Sequence, residues 1–236
     1  MRIGVPREIK PLEGRVGLIP AACSELVSAG HRVYVESGAG AQSGYSDEAY
    51  RAAGAQIAAN AAELYERGEL IVKVKEPLEG DLRYLRSDHV LFSYLHLAAN
   101  AALTRNLCSI GLTALAFETV QLASGELPLL APMSDIAGRL SVHLGTHLLH
   151  QPQGGKGLLL GGLAGAERGR VTVIGGGTAG VNAARVAAAL GAGVTVFDRK
   201  RNKLCLLYTS PSPRDRSAYL VCRLLLENRG GGGGGG

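Results

Sequence analysis

The sequence has no long apolar run, no block of like charge and no cysteine framework. Its apolar stretches are short and interrupted, whereas a membrane-spanning helix needs about 20 consecutive apolar residues, so none is expected. The opening MRIGVPREIK contains no apolar signal region, and a cytoplasmic location is expected. The net charge of +5 over 236 residues is mild and unclustered, which gives no reason to expect a nucleic-acid partner. Of four cysteines, Cys23 and Cys108 lie far apart in apolar contexts and read as reduced core residues. No metal site is expected. His143, His147 and His150 fall at i, i+4 and i+7 on one helix face, but no fourth ligand lies nearby, and a helix surface accounts for them. No repeat recurs at a fixed period.

What is present is an Ala-, Gly-, Leu- and Val-rich α/β pattern organised around residues 171–198, VTVIGGGTAGVNAARVAAALGAGVTVFD. Residues 171–174 predict a short buried strand. Gly175, Gly177 and Gly180 then follow the spacing G-x-G-x-x-G, an Ala-rich helix runs to Leu190, and residues 194–197 predict a second strand ending in Asp198. Strand, glycine turn, helix, strand and acid in this order predict a dinucleotide site. Gly175 permits the tight turn, Gly177 leaves room for a pyrophosphate, and Gly180 lets helix and strand pack closely. The pyrophosphate would sit on the helix N-terminus, where free N–H groups and the dipole favour anions. Asp198 would accept hydrogen bonds from ribose hydroxyls and repel a 2′-phosphate, which favours NAD. Arg199, Lys200 and Arg201 are the kind of residues that would hold that phosphate, so NADP stays open at this stage.

From residue 205 the text changes character. CLLYTSPSPRD has no period of a helix or a strand, and residues 230–236 are all glycine. Residues 205–215 resemble the translated transposase end of a sequencing-library adaptor, residues 216–219 fall where its variable index would lie, and residues 220–227 resemble its far side. Residues 205–236 are therefore expected to be non-native. This tail holds four arginines against two acids, which leaves +3 for the remainder. The native reading frame is expected to continue beyond Leu204.

Upstream, residues 1–5 predict a first strand, followed by a charged loop containing Arg7, Glu8, Lys10, Glu13 and Arg15. Pro20 suits the first turn of a helix that Gly30 closes, and residues 31–36 predict a strand. Ser46 reads as an N-cap, with Asp47 and Glu48 in the first turn. Residues 69–75, 89–97 and 112–117 predict further strands, with helix at 98–109. Strands alternating with helices argue for parallel sheets. Residues 131–150 predict one long helix, and a polar, glycine-rich loop follows. The expected fold is α/β, with two Rossmann-like parallel-sheet domains joined by a long helix. Residues 1–130 would form a substrate domain, 131–150 the linking helix, and 151–204 the first half of a nucleotide domain, the rest being missing.

In open α/β sheets ligands bind beyond the carboxyl ends of the strands. Arg15 stands in the loop after the first predicted strand, Lys75 ends another, and His96 lies near the end of a third, between Leu95 and Leu97. A guanidinium could grip a carboxylate in two places, an ammonium could polarise a carbonyl, and an imidazole could move a proton near neutral pH. The residues alone leave a plainer reading open: a solvated arginine, a strand-end lysine and a core histidine. Tyr94 and Met133 would line a pocket or belong to the core.

The segments MRIGVPREIKPLEGRVGLIP, VKVKEPL, LFSYLHLA, FETVQL, LPLLAPMSDIAGRLSV and GGKGLLLGG span nearly all of residues 1–204. They resemble the N-terminal part of the bacterial alanine dehydrogenase family. The resemblance implies substrate binding by Arg15 and Lys75, and acid/base chemistry by His96. It implies cofactor contacts at Ser134, Thr178, Ala179, Asp198 and Lys203, beside the glycines already named. It implies reversible oxidation of L-alanine to pyruvate and ammonia with NAD, and a homohexameric assembly. The family's second catalytic acid and the return of its chain to the first domain lie beyond this sequence, so the polypeptide as given is expected to be inactive. Two other readings are an NAD-binding protein like the alpha subunit of a nicotinamide transhydrogenase, and a non-catalytic NAD-binding module.

Overall fold

Short runs rich in β-branched residues, the central ones buried along nearly their whole length, set the first part of the chain. The structure, a computed structural model, describes residues 1–199 and the backbone of residues 220–224. It divides into two units, Met1–Leu130 and Ala131–Gly236.

The first unit holds β1 (Arg2–Val5), β2 (Arg32–Glu36), β3 (Gln56–Ala58), β4 (Leu70–Val72), β5 (Val90–Ser93) and β6 (Thr113–Ala116). They form one parallel sheet in the order β3-β2-β1-β4-β5-β6. Between them run α1 (Pro20–Ser28), α2 (Asp47–Ala52), α3 (Ala61–Arg67), α4 (Glu79–Leu82) and α5 (Ala101–Ile110). Local chemistry starts and stops these helices. Pro20 sits at the start of α1, where its missing N–H is no loss. The side chains of Ser46, Asn60 and Asn100 accept backbone N–H groups 3.3, 3.0 and 3.0 Å away at the starts of α2, α3 and α5.

Both faces of the sheet are buried, as a doubly wound parallel sheet requires. Ile3, Val5, Val33, Val35 and Val72 pack with Cys23 and Tyr50 on one side. Tyr34, Ile71 and Leu91 pack with Leu64, Leu103 and Leu107 on the other.

The strand order reverses between β1 and β4. The loops after these two neighbours therefore lie side by side at the carboxyl edge, the position where open α/β sheets bind ligands. Their contact is close: a Cβ on Gly17, in the β1 loop, would stand 2.6 Å from the carbonyl oxygen of Val72. The Tyr50 hydroxyl pins the same loop by donating to the Leu18 carbonyl at 2.9 Å.

Three sequence expectations need correction here. The strand predicted to end at Lys75 stops at Val72, so Lys75 stands three residues into the following loop. The strand predicted to reach His96 stops at Ser93. In both places the chain still runs beside its neighbour, with Lys73 N–H donating to Phe92 and Tyr94 N–H to Val74, but without regular pairing. Cys108, expected in the core, is exposed on α5, whereas Cys23 is buried.

The second unit opens with α6 (Ala131–Leu149), the predicted long helix with Pro132 in its first turn. Then come β7 (Arg170–Ile174), α7 (Thr178–Ala189), β8 (Gly193–Asp198) and β9 (Leu220–Leu224). The strands pair in parallel in the order β7-β8-β9. Val173, Val194 and Val196 pack with Ala183, Ala184 and Ala187 of α7 and with Val142 of α6. The expectation that residues 171–174 form a buried strand holds only for Val173; Ile174 is 80% exposed. Among the described residues β7 has a single paired edge, which leaves part of its surface uncovered. The backbone of β9 lies within the stretch read as adaptor; the rest of residues 205–236 is outside the described residues.

Candidate functional site

In the first unit the reversal of strand order gathers four loops. Arg15 comes from the loop after β1 and Lys75 from the loop after β4. His96 follows β5, and Glu118 lies in a short 3₁₀ turn, Phe117–Thr119, directly after β6. The register pairs Val72 with Phe92 and Ser93 with Ala116, so these four exits lie along adjacent strands of one sheet edge.

Arg15 is held by Glu13 through a two-point contact: Nε to Oε1 at 2.7 Å and Nη2 to Oε2 at 2.6 Å. The Arg15 backbone N–H also donates to Oε1 at 3.0 Å. The hydrogen bonds and charge of Arg15, with help from the charge of Lys75, hold the Glu13 carboxyl below the usual carboxylate range. Glu13 in turn raises the Arg15 pKa, a shift to which the Tyr94 side chain also contributes. Tyr94 stacks on the His96 ring with centroids 6.2 Å apart and planes 13° from parallel. Its hydroxyl donates to the Leu129 carbonyl, and burial pushes its pKa up. Lys75, Glu13, Arg15, Tyr94 and His96 thus form a chain in which each side chain touches, or feels the field of, the next.

His96 is exposed and adopts φ 51° and ψ 36°, the left-handed region that a residue with a Cβ rarely enters. Glu118 stabilises this conformation. Its Oε1 accepts the His96 N–H at 2.7 Å, and its two oxygens accept the Leu95 N–H at 3.2 and 3.3 Å. Burial alone would push the Glu118 carboxyl up. Backbone N–H donors, His96 and Leu95 among them, and the charge of His96 outweigh burial and hold it below its ordinary value. A strained backbone fixed by a half-buried carboxylate is the kind of feature found at functional sites. Glu76, next to Lys75, pairs with Lys10, while its other oxygen is buried with no hydrogen-bond partner.

Of the plainer sequence readings, the core histidine and the strand-end lysine do not hold, whereas the exposed arginine does. Arg15 is exposed, as a solvated arginine would be, but is paired with Glu13; Lys75 is half-buried beyond its strand, and His96 is no core histidine. The histidine that does lie in the core is His89, whose Nε2 stands 3.0 Å from the Tyr65 carbonyl oxygen. Glu13 and Glu118 escaped sequence reasoning, because their roles depend on partners brought in by folding.

In the second unit the three glycines of the turn differ in what surrounds them. Gly175 has φ +103°, open to glycine alone. A Cβ on Gly177 would meet nothing within 4 Å, so its face is open. A Cβ on Gly180 would stand 1.8 Å from the Gly175 carbonyl oxygen, so only glycine fits. Thr178, Ala179 and Gly180 form the first turn of α7, whose N–H groups have no intrahelical acceptor. Asp198 ends β8, and its Oδ2 accepts the Gly176 N–H at 2.5 Å. The strand-end acid therefore touches the glycine turn. This cradle fits a dinucleotide: room for a diphosphate over Gly177, an anion-binding helix start, and a carboxylate beside it. Ser134 is half-buried in the first turn of α6. Lys203, Lys200 and Arg201 lie outside the described residues. A separate cleft of 570 Å³ lies between α6, α7 and β7, walled by Gly138, Val142, Val173 and Ala183. Its walls are mostly apolar, with Ser141, Thr146 and Arg170 among them, and Ala179 and Gly180 at the start of α7 also line it.

The profile of the alanine dehydrogenase/PNT N-terminal domain matches residues 4–137, and that of the C-terminal domain matches residues 141–210. The chain belongs to the alanine dehydrogenase/PNT family. Among its relatives, the alanine dehydrogenase of Methanococcus maripaludis is 49% identical over 207 residues, covering 88% of this chain and 56% of the relative. That of Geobacillus stearothermophilus is 50% identical over 204 residues, covering 86% of this chain and 55% of the relative. A solved L-alanine dehydrogenase superposes with a TM-score of 0.86 at 46% identity, over 96% of this chain and 61% of that one. A transhydrogenase from Sinorhizobium meliloti superposes with a TM-score of 0.74 at 25% identity, over 89% and 62%. The chain thus spans little more than half the length of the curated relatives it matches. Both matched domains of the alanine dehydrogenase/PNT family are present here as Rossmann-like α/β units, the second of them short.

Proposed function

We propose that the protein from which this chain comes is an NAD-dependent L-alanine dehydrogenase, which oxidises L-alanine reversibly to pyruvate and ammonia. The observation that carries the reading is the linked set Lys75–Glu13–Arg15–Tyr94–His96 at the strand-order reversal of the first unit, in a chain about 50% identical to alanine dehydrogenases. Arg15, oriented by Glu13, binds the substrate carboxylate. Lys75 holds the carbonyl oxygen of pyruvate. His96, exposed and fixed by Glu118, moves the proton as water adds to the imine of the oxidised substrate. Holding reactants in such geometry contributes about 7–11 kcal/mol of barrier lowering in well-oriented systems. NAD, when bound, supplies the hydride acceptor. Gly175, Gly177, Gly180 and the start of α7 would hold its diphosphate, and Asp198 its adenine ribose; Ser134 and Lys203 are proposed as further cofactor contacts. The assembly is proposed to be a cytoplasmic homohexamer without metal; no helix among the described residues is long and apolar enough to cross a membrane.

The test uses the full-length protein, completed from the source DNA beyond Leu204. It should form NADH with alanine and consume NADH with pyruvate and ammonium, and Lys75→Ala or His96→Ala should abolish both. NADH exchange with a second nucleotide, without any response to ammonium, would instead establish the transhydrogenase-like reading. NAD affinity indifferent to both substitutions, with no turnover, would establish a binding module. The 236-residue chain alone should show no alanine-dependent NADH formation.

A further inference from the structure

The loop that carries Lys75 is anchored by groups that the proposed chemistry leaves unused. Glu8 leaves the loop after β1 with its side chain only 2% exposed. Its Oε1 accepts the backbone N–H of Val74 at 2.7 Å and that of Lys75 at 3.4 Å. Its Oε2 stands 3.4 Å from Lys73 Nζ, on a side chain 1% exposed. Lys73 also lies 3.4 Å from Asp81, which accepts the Tyr65 hydroxyl at 2.9 Å. Asp81 accepts the Leu78 N–H at 3.0 Å as well. Residues 73–78 are therefore held at both ends by buried carboxylates that share one buried lysine, and Lys75 is part of the Glu8 anchor.

We infer that Glu8 is a positioning residue for Lys75, an inference that rests on the substrate role proposed for that lysine. Beyond Val72 only the bonds of Lys73 N–H to Phe92 and of Tyr94 N–H to Val74 tie the chain to its neighbour, and regular pairing does not reach Lys75. The Glu8 carboxylate supplies the missing acceptors from the neighbouring strand's loop, where the strand order reverses. Its charge also reaches Arg15, so one buried group stands behind both cations proposed to hold the substrate. Charge balance alone would explain the contact with Lys73, since an unpaired buried charge is costly. It does not explain two hydrogen bonds to the backbone at Val74 and Lys75.

The two roles separate in the double variant Glu8→Leu/Lys73→Met, made in the full-length protein. It removes the Glu8 and Lys73 charges together, leaves Asp81 its Tyr65 hydroxyl and Leu78 N–H donors, and leaves the Val74 and Lys75 N–H groups without an acceptor. Amide exchange at these two positions should quicken at least about tenfold, and the KM for pyruvate should rise about 10- to 100-fold, with the KM for NADH unchanged. Glu8→Gln keeps one acceptor oxygen and should fall between wild type and the double variant. It carries the same two readouts if the double variant does not fold. Wild-type exchange at Val74 and Lys75, or a wild-type KM for pyruvate in a variant with quickened exchange, would overturn the inference. Absence of pyruvate turnover in the wild-type protein would count against the functional reading instead, and amide exchange alone would then decide whether Glu8 fixes the loop.

Discussion

Among the described residues, two that are not glycine carry backbone conformations that their side chains disfavour, His96 and Leu12, with φ 51° and 65°. At His96 the structure also shows what offsets the strain, a carboxylate that takes two adjacent N–H groups. Removing it by Glu118→Ala should lower alanine oxidation more than it lowers stability; a kcat/KM equal to wild type would sink the role assigned to Glu118. At Gly180 the argument is steric. A methyl 1.8 Å from the Gly175 carbonyl oxygen must displace either the turn or the start of α7. Gly180→Ala should cost about 1–3 kcal/mol and weaken NAD binding, measured by calorimetry on the full-length protein. The cysteines differ in the same local way. Burial pushes the Cys23 thiol up to about 11, whereas Cys108 is exposed. Peptide mapping after alkylation at pH 8 should find Cys108 labelled in the native protein and Cys23 only after unfolding.

Capping chemistry makes the helices of the first unit readable one at a time. Asn100 both ends the segment that carries His96 and caps α5, accepting the Leu103 N–H at 3.0 Å. Asn100→Ala should cost about 1 kcal/mol, read from the shift of a urea midpoint. Ser46 was legible as a cap in advance, because Ser followed by Asp and Glu has one local meaning. The strand ends were not legible. VKVKEP and SYLHLA continue the apolar pattern past Val72 and Ser93, yet regular pairing stops there. What stops it is a carboxylate from elsewhere, the buried Glu8 in one case and the half-buried Glu118 in the other, taking N–H groups that a ladder would have used. Glycines at element junctions show the same dependence on neighbours. Gly17 looks like any loop glycine until its 2.6 Å clearance from Val72 is known.

Across the whole molecule the first unit has a sheet buried on both faces, and the second has a sheet with one edge strand half uncovered. The first unit also concentrates acids held by cations and N–H donors. Glu13, Asp47, Glu76 and Glu118 all lie below their ordinary values of 4.5, or 3.8 for aspartate. Groups depressed in the folded state stabilise it fully above the unfolded value, and that contribution is lost as pH falls through the folded value. Glu8, raised by burial, works in the opposite direction. Because the depressed carboxyls outnumber the raised Glu8, denaturant midpoints should hold steady above pH 5 and fall progressively below about 4.5. A midpoint that rose on acidification would show that buried carboxyls such as Glu8 dominate.

The sequence by itself determined the dinucleotide cradle, because strand, glycine turn, helix and acid are consecutive and each glycine answers a local steric demand. It also determined the α/β class and most helix starts, which depend on period and on caps within a few residues. The tertiary structure alone decided the strand order, and with it the meeting of Arg15, Lys75 and His96 at one edge. It alone decided which carboxylates serve the site, since Glu8 and Glu118 act on residues 66 and 22 positions away. The physical reason is the range of the interactions: propensity and capping act within a turn of the chain, whereas a buried ion or a clamped loop is defined by whatever folding brings beside it.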